Sequence, residues 1–146
     1  MSGRTDSWVR LAAASVGYFA LVFGAGFLFG PIRVFWLEPR VGKTFAVLCE
    51  APPLVAVMVL TARWLPRKLA VSRDHGSLAT IGLAALVLQQ IADVSLGAAV
   101  RGLTLTEQLD NFATPQGGVY AVLLLLFAAM PLLMNSRSSS IGHSPQ

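Results

Sequence analysis

Residues 41–60, VGKTFAVLCEAPPLVAVMVL, constrain this chain more than any other stretch. They are apolar enough to lie in lipid, yet they carry a carboxylate, Glu50, followed closely by Pro52 and Pro53. From Pro52 the apolar run reaches only Ala62 before Arg63. That is too short, because a spanning helix needs about 20 residues. The span must therefore begin near Lys43 or Thr44, which draws Glu50 into the bilayer. Pro52 and Pro53 bring no N–H groups, so the carbonyls of Leu48 and Cys49 lose their helical donors, and a kink is expected there. An ionised carboxylate in hydrocarbon costs on the order of 2–3 kcal/mol or more, so Glu50 is expected to be neutral, paired or turned toward water.

The composition agrees with a membrane chain. Of 146 residues, 55% are hydrophobic and 12% charged, against about 25% charged in a soluble domain. This length holds four short-looped spans and little else. The net charge of +4 is no nucleic-acid signal, because the basic residues sit at span ends, where topology accounts for them. The single cysteine, Cys49, excludes an internal disulfide, and no Cys/His metal spacing exists. His75 and His143 are far apart in polar segments. No catalytic set, metal or other cofactor is expected.

In chain order, residues 1–10 form a polar amino end with Arg4, Arg10 and an interfacial Trp8. Residues 11–32 carry no charge and form span one. Gly24-Ala25-Gly26 resembles a signal-peptide cleavage site, but the apolar run continues through Phe27, Leu28 and Phe29, so the segment reads as a retained span. Ala13, Gly17, Ala20 and Gly24 share one helical face, and Gly26 and Gly30 add a GxxxG beside it. Such faces let helix backbones approach closely. Tyr18, mid-span, needs a hydrogen-bond partner. Residues 31–43 read as a loop, and span two covers about residues 44–62. A basic loop with Arg63, Arg67, Lys68 and Arg73 leads to span three, about residues 77–100, which holds Gln89, Gln90 and Asp93. Thr104 and Glu107 fit a capping box that opens a short amphipathic surface helix. Span four, about residues 118–134, is leucine-rich all round and is expected to be the most lipid-exposed. Residues 135–146 read as a disordered tail. The expected fold is thus an all-α four-helix membrane bundle with one membrane domain over residues 11–134.

Seven basic residues fall on the side of the termini and four on the other. The positive-inside rule then puts both termini in the cytoplasm. Spans two and three, joined by a short connection, are expected to be neighbours. Glu50 and Asp93 would each lie about 10 Å below the same surface. One polar cluster is expected: Glu50, Asp93, Gln89 and Gln90, with Arg33 or Arg101 above it as a proton or ion site.

The segments GYFALVFGAGFLFGPIRV, LCEAPP and TEQLDNFATPQGGVY together resemble a group of small four-span bacterial inner-membrane proteins with no assigned activity. The resemblance implies a bacterial inner membrane and supplies no chemistry. Two functions compete. One is a structural or accessory subunit without enzymatic activity, packed through its glycine faces against lipid, a second copy or another membrane protein. The other is a small oligomeric proton- or cation-linked transporter or channel that uses Glu50.

Overall fold

The structure, a computed structural model, describes residues 2–136. The chain enters helix almost at once: α1 covers Ser2–Ile32, a single π-helical turn covers Arg33–Leu37, and α2 covers Glu38–Val41. α3 follows at Lys43–Lys68, α4 at His75–Arg101, α5 at Leu105–Asn111 and α6 at Pro115–Ser136. Four of these helical stretches are long and apolar enough to cross a membrane. The protein is an all-α, multi-pass membrane bundle.

Several boundaries differ from the sequence reading. The expected loop at residues 31–43 is helical up to Val41, and the chain reverses only at Gly42, whose φ of 82° suits a residue without Cβ. Pro31 and Pro39 look like helix breakers, but Pro39 occupies the first turn of α2, where its missing N–H costs nothing. The π turn lies between the two prolines. α3 runs on to Lys68, and its helical run does not break at Pro52 and Pro53, where a kink was expected. Asn135, placed in the tail by sequence, belongs to the last turn of α6, where its Nδ2 donates to Pro131 O at 2.7 Å. Ser136 ends the helix, and residues 137–146 of the expected tail lie outside the described residues. α5 has the expected capping box: Glu107 N–H donates to Thr104 Oγ1, and Thr104 N–H donates to the Glu107 carboxylate.

Around the bundle the helices follow the order α1, α3, α6, α4, so α1/α3 and α4/α6 run antiparallel while α3/α6 and α1/α4 run parallel. α3 packs on α1 and α6, and α4 packs on the same two helices. Spans two and three are therefore not the neighbours the short connection suggested. They face each other across the bundle. Helix axes 8–10 Å apart leave a diagonal of roughly 13 Å, and the six residues between α3 and α4 can span about 20 Å. Loop length alone does not decide between the two arrangements.

Small residues set two of the close crossings. A Cβ on Gly82 of α4 would overlap the carbonyl of Ala128 in α6, and one on Gly17 of α1 would sit 3.0 Å from the Leu65 side chain of α3. The other glycines expected to pack behave differently. Gly26 has Leu54 at an ordinary 3.8 Å, while Gly24 and Gly30 have nothing within 4 Å. Their faces are open inside this chain.

The apolar core fills the half of the bundle nearer the termini, from Ala14, Tyr18 and Val22 to Met58, Ala62, Ile81, Ala85, Phe127 and Met130. Span four contributes strongly to it, against expectation: 28% of its apolar stretch is buried, compared with 6% for α4. Tyr18 is the keystone. Its ring stacks on Phe127 with centroids 4.6 Å apart, and its hydroxyl donates to the Phe127 carbonyl at 2.8 Å. That carbonyl would normally accept from the N–H four residues on, which is Pro131 and has none. Tyr18 supplies the donor that Pro131 lacks.

Candidate functional site

The other half of the bundle, toward α2 and α5, has a polar interior. Two carboxylates enter it from opposite helices. Glu50 continues the buried stripe of α3 formed by Ala46, Val47, Met58 and Leu65, and it is buried, whereas Cys49 beside it is exposed on the lipid side. Arg33 Nη1 donates to Glu50 Oε2 at 2.8 Å, and Arg33 Nε lies 3.5 Å from Glu38 Oε1 without a hydrogen bond. The π turn thus carries the cation that closes over Glu50. The pairing ties the exit of α1 to the first third of α3. Nearby, the Arg40 guanidinium sits 4.9 Å above the Trp36 ring, and at the opposite end of the bundle Lys68 sits 4.4 Å above Trp64. Cation–tryptophan pairs of this kind suit the two membrane–water interfaces.

Asp93 belongs to a second cluster, between α4 and α6. Gln89 Nε2 donates to both of its oxygens, at 3.1 and 3.0 Å, and the Tyr120 hydroxyl donates to Oδ2. Gln89 and Gln90 both flank the Tyr120 hydroxyl. The Gln90 amide nitrogen is buried without a partner. α5 roofs this cluster. Gly97 leaves room for the Gln108 amide, which would lie 2.7–2.9 Å from a Cβ there. Gln108 Nε2 in turn donates to the carbonyls of Val94 and Leu103 at 3.4 and 3.3 Å. The Phe112 and Tyr120 rings meet at 5.8 Å. Gly117 lets the start of α6 abut the backbone of Asn111 and Phe112.

The single cluster expected from sequence is therefore two. Glu50 pairs with Arg33, Asp93 pairs with Gln89 and Tyr120, and the helices that carry the two carboxylates lie across the bundle. Arg101 is exposed at the end of α4 and forms no ion pair among the described residues. Two partners escaped the sequence reading. Tyr120 stands near the start of its span, at the depth of Asp93, which is the available signal for it. Glu38 was hidden by reading residues 31–43 as a loop.

No protein-family model matches this sequence, and no characterised protein and no solved structure shows significant similarity to it. Among the described residues, no three His, Cys, Asp or Glu side chains converge as a metal set. What the geometry offers is a closed ion pair on one side of the polar half and a hydrogen-bonded carboxylate on the other.

Proposed function

We propose that the protein is a structural or accessory subunit without enzymatic activity, seated in a bacterial inner membrane with both termini in the cytoplasm. The observation that carries this reading is the 2.8 Å contact between Arg33 and Glu50. A carboxylate held by a guanidinium of its own chain serves to join helices, and transport through Glu50 would require that contact to be broken in every cycle. The exposed basic side chains Arg4, Arg10, Arg63, Arg67, Lys68 and Arg73 share the end of the bundle that holds the amino terminus, which supports the orientation. The open faces at Gly24 and Gly30 support lateral packing against another membrane helix. The resemblance to small four-span inner-membrane proteins points to the same compartment.

Glu50→Gln tests the reading. Removing one partner of a well-buried pair costs about 3–5 kcal/mol. Arg33 keeps 24% of its side chain exposed and has Glu38 beside it, so a loss of about 1–3 kcal/mol is expected here. The variant should unfold at lower temperature in detergent and assemble less in the membrane, with liposome ion flux the same as for wild type. Wild-type stability and assembly combined with an altered pH-dependent flux would favour the transport reading instead.

A further inference from the structure

Asp93 differs from Glu50 in one respect: none of the described residues neutralises it. On its own helix the nearest cation, Arg101, is exposed two turns away and forms no ion pair. α6 carries no charged side chain at all. The acids of α5, Glu107 and Asp110, are both exposed and of the wrong sign. On the α1 side, Arg33 is taken by Glu50 and Glu38, and α3 offers only Glu50 across the bundle. Asp93 is about 12 Å of helix inside Arg101, and a charge at that depth is held only against a compensating one.

The direction of the side chain decides what that compensation is. The lipid face of α4 is Leu83, Val87 and Ile91, all exposed. Asp93 continues the opposite stripe, formed by Gly82, Ala85 and Gln89, which turns into the bundle. A cationic helix of a partner would meet the leucine face, not Asp93. The occupant that fits is small. The Gln89 amide nitrogen holds one edge of the carboxylate, and the hard oxygens left to face a ligand are those of the carboxylate, the Tyr120 hydroxyl and the Gln90 carboxamide beside that hydroxyl. A carboxamide presents its oxygen where its nitrogen stood after a half-turn, so the buried, unpartnered end of Gln90 is a ligand atom in reserve. One carboxylate among neutral oxygens balances a single positive charge, whereas divalent sites gather several carboxylates.

We infer that Asp93, Gln90 and Tyr120 form an intramembrane binding site for a monovalent metal cation of sodium size, with Gln89 as a positioning residue that steadies the carboxylate and α5 as its roof. The inference is independent of the accessory-subunit reading: such an ion can lock the α4–α6 contact in a subunit that transports nothing.

The test uses the full chain in lipid nanodiscs. Thermal unfolding is followed in sodium, potassium and choline chloride at equal ionic strength. Sodium is expected to raise the midpoint saturably by about 2–4 °C over choline. The rise should vanish in Asp93→Asn and persist in Glu50→Gln. Tyr120→Phe should weaken the half-saturating sodium concentration about fivefold or more, and this variant decides the matter if Asp93→Asn does not fold. Equal midpoints in sodium and choline overturn the inference. So does a sodium shift that survives in Asp93→Asn, or a half-saturation unchanged in Tyr120→Phe. A midpoint that follows pH and ignores the choice of cation would show that Asp93 takes a proton instead, and overturns it as well.

Discussion

Tyr18→Phe removes one oxygen from the centre of the bundle, and the structure says what that oxygen does. The ring is 1% exposed, as is Phe127 beneath it, so no water can take its place. The stacking at 4.6 Å is kept by phenylalanine. What is lost is the 2.8 Å bond to the Phe127 carbonyl, which Pro131 has already deprived of its helical donor. Interhelical hydrogen bonds in membrane bundles are worth about 0.6 kcal/mol on average and up to about 1.7. Leaving a buried carbonyl with no partner costs about 1–3 kcal/mol. The two ranges meet at about 1–2 kcal/mol, which is the expected loss. Pro131→Ala supplies the missing N–H, and in that background the same Tyr18→Phe change should cost under about 0.5 kcal/mol, since the carbonyl keeps a partner. The assay is equilibrium unfolding in mixed micelles for the four members of this cycle. Equal costs of Tyr18→Phe in both backgrounds would refute the donor-replacement reasoning, even if both costs were large.

Gly82→Ala and Gly24→Ala form a contrasting pair. A methyl on Gly82 would overlap the Ala128 carbonyl oxygen, so α4 and α6 must part by more than about 1 Å, an overpacking loss of about 3 kcal/mol or more. At Gly24 a methyl meets nothing, and thermal unfolding should register no loss; equal effects would sink the packing argument. The helix caps set the response to acid. Ser77 donates to Asp74 from its backbone and its hydroxyl, and Thr104 does the same for Glu107, so both carboxyls titrate below their usual ranges. A folded-state value lowered below the unfolded one gives stability that is present above the unfolded value, about 4, and is lost as pH falls through the folded value. Backbone amide shifts of Ser77 and Thr104 should therefore move with midpoints below those of free carboxyls; midpoints at or above them would contradict the capping geometry.

The four spans and the capped α5 were legible because they rest on local rules: apolar length and a Thr–Glu spacing. So was the intramembrane position of Glu50, which follows from counting residues to Arg63. The helical order of residues 33–41 was not legible, because Pro31 and Pro39 carry the signature of a break. Only the three-dimensional context shows one proline tolerated inside α1 and the other starting a helix. Gly82 was overlooked for a related reason. It forms no GxxxG with the other glycines of its helix, Gly76 and Gly97, whereas Gly26 and Gly30 do, with Gly24 beside them, yet Gly82 makes the tight crossing and Gly24 and Gly30 face open space.

The largest revision, from one polar cluster to two, follows from the order of helices around the bundle. Depth in the membrane can be read from sequence, and Glu50 and Asp93 do lie toward the same end. Angular position cannot, because it depends on which helices pack. With α3 and α4 across from each other, each carboxylate finds its partners on the helix beside it: Arg33 at the exit of α1 for Glu50, Tyr120 at the entry of α6 for Asp93. In lipid no hydrophobic force drives helices together, so the half of the bundle without an apolar core is held by these polar contacts and by close backbone approach. The two contacts bind different helix pairs, α1 to α3 and α4 to α6. The polar half is therefore two clamped pairs side by side, while the Tyr18–Phe127 contact joins α1 to α6 in the apolar half.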